Sequence, residues 1–121
     1  MNPPLRLYAI VRADLRMTAG KLAAQAGHAY LETFLKADSE IQKEYRSDGI
    51  GTKITLQTRN LSSLLRIHYQ CMLKGIPCNI IEDSGHVMPP HFDGAPIITA
   101  VGIGPCKRED ISSITDKLKL L

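Results

Sequence analysis

From Leu5 to Val11 the chain is apolar and rich in β-branched residues, interrupted only by Arg6, and this run predicts a buried strand. The period then changes. Leu22, Ala26, Ala29, Tyr30 and Thr33 recur at helical spacing and predict a helix from about Ala19 to Lys36, with Thr18 as its N-cap. Alanine and glycine near its start (Ala19, Gly20, Ala23, Ala24, Ala26, Gly27) suit close backbone approach. Residues 38–48 read as a short polar helix ended by Gly49 and Gly51, and Lys53 to Thr58 alternates like a second strand. Asn60 caps a helix through Lys74, which Gly75 closes at the C′ position. Its inner stripe reads as Leu61, Leu64, Leu65, His68, Cys71 and Met72. Cys78 to Ile81 and Ile97 to Ile103 form the third and fourth strands, separated by a loop rich in Pro, Gly and His from Asp83 to Pro96. A last helix, around Arg108 to Lys117, follows Pro105 and turns Ile111, Ile114 and Leu118 inward.

Strands alternating with helices imply an α/β fold. The expected form is a three-layer α/β/α sandwich around a four-stranded mixed sheet, with residues 1–121 as a single domain. No repeat, linker or low-complexity stretch interrupts it.

Composition narrows the class. A hydrophobic content of 44% supports a soluble globule, and no run approaches a membrane span. Met1 to Leu5 lacks the charged head and apolar run of a secretory signal. Cys71, Cys78 and Cys106 are an odd set without C-x-x-C spacing and read as reduced thiols. A cytoplasmic protein is therefore expected. The net charge is +3, unevenly spread: residues 1–74 carry a net +5, whereas residues 75–106 hold no Lys or Arg and a net −3. A basic surface around a local acidic spot suits an enzyme that grips a polyanion. Trp is absent and aromatics are 5%, which disfavours single-strand binding by base stacking.

The chemistry concentrates where the first strand passes through a polar turn into the first helix. Unpaired N–H groups and the helix dipole favour an anion there, and Lys21 on the first turn adds a full positive charge. Lys21, Gln25 and His28 stand at i, i+4 and i+7 and so share a face, read as lying off the core stripe. A solvated helix side is the plain alternative for such a row. Asp83 ends an apolar strand, where carboxylates line α/β crevices; Asp-x-Gly is equally ordinary turn chemistry. Thr99 opens the fourth strand as a possible hydroxyl donor or simply as a β-branched strand former. His68 reads as a partly buried helix residue. His86, His91 and Asp93 have no spacing of a closed metal site, so neither metal nor cofactor is expected.

Three segments in order then carry a family resemblance. They are Arg12-Ala13-Asp14-Leu15-Arg16-Met17 running on to Gly20-Lys21-Leu22-Ala23-Ala24-Gln25-Ala26-Gly27-His28-Ala29, then Ile80-Ile81-Glu82-Asp83-Ser84-Gly85, then Thr99-Ala100-Val101-Gly102-Ile103-Gly104-Pro105. Together they resemble the archaeal and eukaryotic, type II, peptidyl-tRNA hydrolases over nearly the whole chain. The resemblance implies hydrolysis of the ester joining a peptidyl group to the 3′-terminal ribose of tRNA, with peptidyl-tRNA as substrate and a homodimer as the assembly. On that basis Lys21 stabilises the oxyanion or holds a terminal phosphate, and Gln25 positions water or the ester. Asp83 accepts a proton from water or orients Lys21, and Thr99 donates to the oxyanion or the water. Arg16, Gly20, Gly85 and His86 would contact substrate, as would His28, which reads equally as a structural residue hydrogen-bonding at the sheet edge.

The likeness breaks after Gly85. His86-Val87 stands where the family has Arg-Thr, and the loop before Thr99 is longer than usual. Two other readings follow from that break: a non-catalytic relative that binds tRNA or a protein, and a hydrolase of a different acyl ester.

Overall fold

The computed structural model describes residues 4–47, 49–85 and 87–121. Strand β1 (Leu5–Arg12) leads through a 3-10 turn at Ala13–Leu15 into helix α1 (Ala19–Lys36). Helix α2 (Ser39–Arg46), strand β2 (Thr52–Thr58), helix α3 (Leu61–Leu73) and strand β3 (Cys78–Asp83) follow. Two short strands, β4 (Val87–Met88) and β5 (Phe92–Asp93), precede the long β6 (Ile97–Lys107). Helix α4 (Arg108–Thr115) and a short β7 (Lys119–Leu120) complete the chain.

Among the described residues the main sheet has five strands in the order β3-β6-β1-β2-β7, and β4 pairs with β5 in a separate ribbon. Strands β1 and β2 are parallel, while β6 runs antiparallel to both its neighbours and β7 antiparallel to β2. The carboxyl ends of β1, β2 and β3 therefore share one edge with the start of β6. The expected sheet of four strands is thus corrected to five. Strand β7 escapes the sequence because two residues are too few to display alternation. It is held by register, Leu56 opposite Leu120 and Gln57 opposite Lys119, and by Gln57 Nε2 donating to the Leu120 carbonyl at 3.1 Å.

Alternate residues of β1 serve different helices, as strand geometry requires. Tyr8 and Ile10 pack with Leu64, Ile67 and Cys71 of α3 and with Ile111 and Ile114 of α4. Ala9 and Val11 pack with Ala26 and Ala29 of α1. Leu5 and Leu7 meet Tyr45 of α2, flanked by Tyr30 and Phe34. Helix α1 lies so near β6 that a Cβ on Gly102 would overlap Thr33 Oγ1 and stand 2.5 Å from the Ala29 carbonyl oxygen. This is why the helix is built of small residues where it faces the sheet.

Both main helices begin as their caps predict. Thr18 accepts from the Lys21 amide at 3.3 Å, and Asn60 from the Ser63 amide at 2.9 Å. The stripe of α3 is rotated from its expected position. Leu64, Ile67 and Cys71 are buried, whereas Leu65, Tyr69, Met72 and Leu73 are exposed. The fourth strand also runs on past Ile103. Gly104 and Pro105, beyond the expected end at Ile103, form an irregularity in the β1–β6 ladder between the pairs Tyr8–Ile103 and Arg6–Cys106. Gly104 takes φ +106°, and a Cβ there would lie 2.6 Å from the Arg6 carbonyl oxygen, so the strand bends through a position only glycine fills. The stretch 83–96, expected to be loop throughout, holds the β4–β5 ribbon. Its base is tied by the Gly85 amide donating to the Gly94 carbonyl at 3.0 Å. Among the described residues no helix is long and apolar enough to cross a membrane.

Candidate active site

Thr18 fixes the start of α1 and so places Lys21 on its first turn, pointing along the sheet edge. Asp83 is the last residue of β3, paired with Ile97 at the start of β6. Their side chains meet: Lys21 Nζ donates to Asp83 Oδ2 at 3.0 Å, with 13% and 17% of the two side chains exposed. A mostly buried pair of this kind is held by mutual charge in a medium that screens less than water. The same ammonium stands 5.1 Å from the centroid of the Phe92 ring, a cation–π distance. Phe92, in β5, is buried with Leu15 and Met17, so the loop ribbon is anchored by its own small apolar cluster beside Lys21.

One turn along α1, Gln25 is 1% exposed. This corrects the reading of Lys21, Gln25 and His28 as one row off the core. The helix rolls Gln25 inward with Ala26 and leaves His28 exposed, without a side-chain hydrogen bond among the described residues, so the structural bond at the sheet edge expected of His28 is not formed. The partner that makes burial of a carboxamide tolerable is Thr99, whose hydroxyl donates to Gln25 Oε1 at 2.5 Å.

Thr99 reaches Gln25 through an irregularity in β6. Ile81 of β3 faces Ala100, but Glu82 faces Ile98, so Thr99 is the extra residue of a β-bulge. Without it, strict alternation would turn Thr99 to the same side as Val101, against α3. With it, Ile98 packs toward the α3 cluster while Thr99 and Ala100 both reach α1. The bulge also leaves the Ile98 carbonyl in need of a donor. Arg12, the last residue of β1, supplies it through Nη1 at 2.9 Å. Arg12 in turn grips Asp14 with two bonds, Nε to Oδ1 at 3.1 Å and Nη2 to Oδ2 at 2.8 Å.

Lys21, Asp83, Gln25 and Thr99 are therefore brought together at one end of the sheet. Arg16 and Gly20 lie exposed on the approach to α1, Arg16 in the left-handed region at φ 49°, and Gly85 is exposed at the loop base. His86 lies outside the described residues. Val87 is 69% exposed in β4. Arg12, Asp14 and Phe92 support this site and carry no role in the sequence reading, although Arg12 and Asp14 open the first segment of the family resemblance. A pair two residues apart across a turn and an aromatic in a Pro/Gly loop carry no periodic signal. The cysteines stand apart from it: burial pushes the Cys71 and Cys106 thiols up to about 12, which keeps them protonated and unreactive near neutrality.

The Arg12 hydrogen bonds hold the Asp14 carboxyl below its ordinary 3.8. A carboxylate lowered in the folded state contributes stability that is present above its unfolded value and lost as pH falls through its folded one. The melting temperature of wild type should therefore exceed that of Asp14→Asn at neutral pH. The gap should close only as pH drops below the ordinary carboxylate range. A gap that stays constant down to pH ~2 would show that the Arg12–Asp14 pair does not titrate in this way.

In sum of geometry, the chain is an α/β protein whose charged and hydrogen-bonding groups converge at the carboxyl ends of its strands, where ligands bind in sheets of this kind. Comparison with known proteins makes the class specific. The family model described as "Peptidyl-tRNA hydrolase PTH2" matches residues 5–121. A peptidyl-tRNA hydrolase of Methanococcus maripaludis is 40% identical over 115 residues, covering 93% of this chain and 95% of the relative. Those of Methanocaldococcus jannaschii and Sulfolobus acidocaldarius are each 36% identical, covering 97% of this chain and all of the relative. The chain belongs to the PTH2 family of peptidyl-tRNA hydrolases.

Proposed function

We propose that this chain hydrolyses the ester between the peptidyl group and the 3′-terminal ribose of peptidyl-tRNA, releasing free tRNA. Family membership supports the reaction, and the meeting of Lys21 with Asp83 beside the buried Gln25–Thr99 pair is the observation that carries it to this molecule. Asp83 takes a proton from a water whose oxygen attacks the ester carbon. The carbonyl oxygen becomes an oxyanion, which the Lys21 ammonium neutralises. Collapse breaks the carbon–oxygen bond to the ribose, the 3′ oxygen takes the proton held by Asp83, and the peptidyl acid loses its own proton to solvent and leaves as a carboxylate. Gln25 uses Oε1 to accept from Thr99, which leaves its amide hydrogens for the water or the ester. Thr99 acts mainly by fixing that amide. Arg16, Gly20 and His28 along the exposed approach of α1, with Gly85 at the loop base and His86, are the proposed substrate contacts.

The non-catalytic alternative drew on Val87 and the longer loop. Convergence of the four polar side chains favours the hydrolase. The alternating partners of β1 support a three-layer α/β/α arrangement, and the exposed Leu65, Tyr69, Met72 and Leu73 on α3 support a homodimer. Purified protein incubated with labelled peptidyl-tRNA should release free tRNA, equally with and without EDTA. Release no faster than in buffer would reject the proposal, and loss of activity in EDTA would reject its metal-free chemistry.

A further inference from the structure

A second charged feature lies at the same edge of the sheet, outside the site just described. A cleft of about 600 Å³ opens between the carboxyl end of β2, the first turns of α3 and the segment leading into β7. Four cations line it: Arg59, Arg66, Lys117 and Lys119. All four side chains are exposed, none is in an ion pair among the described residues, and no acidic residue lines the cleft. Its floor is aliphatic, from Ile67, Ile114 and Leu118. Four like charges around one hollow repel each other, so the arrangement is most stable with an anion between them.

The cleft connects to the catalytic end through the sheet itself. Thr58, at its rim, is the register partner of Arg12, and Arg12 bonds the carbonyl of Ile98 next to Thr99. From Asp83 at the end of β3, across β6 and β1, to β2 is three strand spacings, or about 14 Å. That is the scale of a few phosphates along a nucleic-acid strand. The lining carries no aromatic side chain, so stacking of unpaired bases is not what it offers. Two guanidinium groups suit paired contacts to phosphate oxygens, and two ammonium groups suit point contacts.

We infer that the Arg59–Arg66–Lys117–Lys119 cleft holds backbone phosphates of the paired acceptor stem while the 3′ end of the same tRNA lies against Lys21 and Asp83. This rests on the proposed hydrolase reading and adds to it a distinct docking surface on the α3 and α4 side of the sheet. The short β7 is part of the device, since its pairing with β2 is what brings Lys119 and the preceding Lys117 to the rim.

The test compares Arg66→Ala, Lys117→Ala and the double variant with wild type on two substrates: full-length peptidyl-tRNA, and the same peptidyl ester on a short single-stranded 3′ oligonucleotide. With full tRNA, the double variant should raise KM about tenfold with kcat little changed. The slope of log(kcat/KM) against log[KCl] should flatten by about 1 for each cation removed. With the short ester, which has no paired stem, both constants should match wild type. Arg66→Lys should retain most of the affinity. An unchanged KM and salt slope on full tRNA would overturn the inference, as would an equal loss on both substrates, which would place the effect in the catalytic end. Retention of deacylated tRNA on filters by the same variants separates this from the parent reading. If wild type binds tRNA through these residues but releases no peptide, the hydrolase reading fails and the cleft stands. If wild type cleaves while the variants bind tRNA as wild type does, as an acidic-protein cleft would predict, the cleft assignment fails alone.

Discussion

Replacing Lys21 with alanine is expected to lower kcat on peptidyl-tRNA at least a hundredfold. A single preorganised donor at an oxyanion contributes about 10²–10³ in rate, and a full charge in a mostly buried setting lies at the upper part of that range. Asp83→Asn should cost a similar factor, because it removes both the proton acceptor and the counter-charge that aims Lys21 at 3.0 Å. The two changes should not add. Once either partner is gone the other has lost its orientation, so Lys21→Ala/Asp83→Asn should fall little below the worse single variant. Folding should survive, because both groups keep some access to water and the broken pair costs about 1–2 kcal/mol. Rates and melting temperatures measured on all three variants check this together. Either single variant retaining activity within a few-fold of wild type would refute the assignment of the pair.

The largest stability effect is expected at Gly102, which has no part in the chemistry. Alanine there overlaps the Thr33 hydroxyl and crowds the Ala29 carbonyl. Side chain can move aside but the helix backbone cannot, so α1 must lift from β6. Overpacking of this kind costs about 3 kcal/mol, which for a domain of this size lowers the melting temperature by roughly 10 °C. Gly102→Ala/Thr33→Ala should recover only part of the loss, since the Ala29 carbonyl remains in the way. Thermal denaturation of the three proteins measures both steps. Full stability in Gly102→Ala would mean that α1 does not sit as close to the sheet as described. Loss of activity should accompany loss of stability, because lifting α1 also displaces Lys21 from Asp83.

Much of this is legible in the chain itself. The first helix is bounded by a Thr18 cap and by a stripe of small residues, both short-range signals, and it lies where they place it. Lys21 and Asp83 stand together because a helix start and a strand end are the two points whose position follows from element order alone. What the sequence did not reveal depends on register. Gln25 is polar and was read as lying off the core, but its burial is decided by a hydroxyl 74 residues away. Thr99 finds that partner only through a bulge, and one extra residue leaves no mark on local periodicity. The α3 stripe is ambiguous in the sequence because Leu65 and Met72 satisfy helical spacing as well as Ile67 does, and the exposed face carries as many apolar side chains as the buried one. Strand β7 and the β4–β5 ribbon are two residues per strand, below the length at which alternation can be recognised.

The bond from the Gly85 amide to the Gly94 carbonyl closes the loop at its base, on the near side of the stretch that departs from the family pattern. Apart from Met88 and Phe92, which pack with Leu15, Met17 and Ile97 beside Lys21, length and composition between those two glycines can therefore drift without transmitting force to Asp83 or to the start of β6. The protein has, in effect, an interchangeable wall beside a fixed reactive centre. Variation among relatives in which peptides they accept would be written into that wall, and transplanting the segment between related chains should carry preference with it while leaving bond cleavage intact.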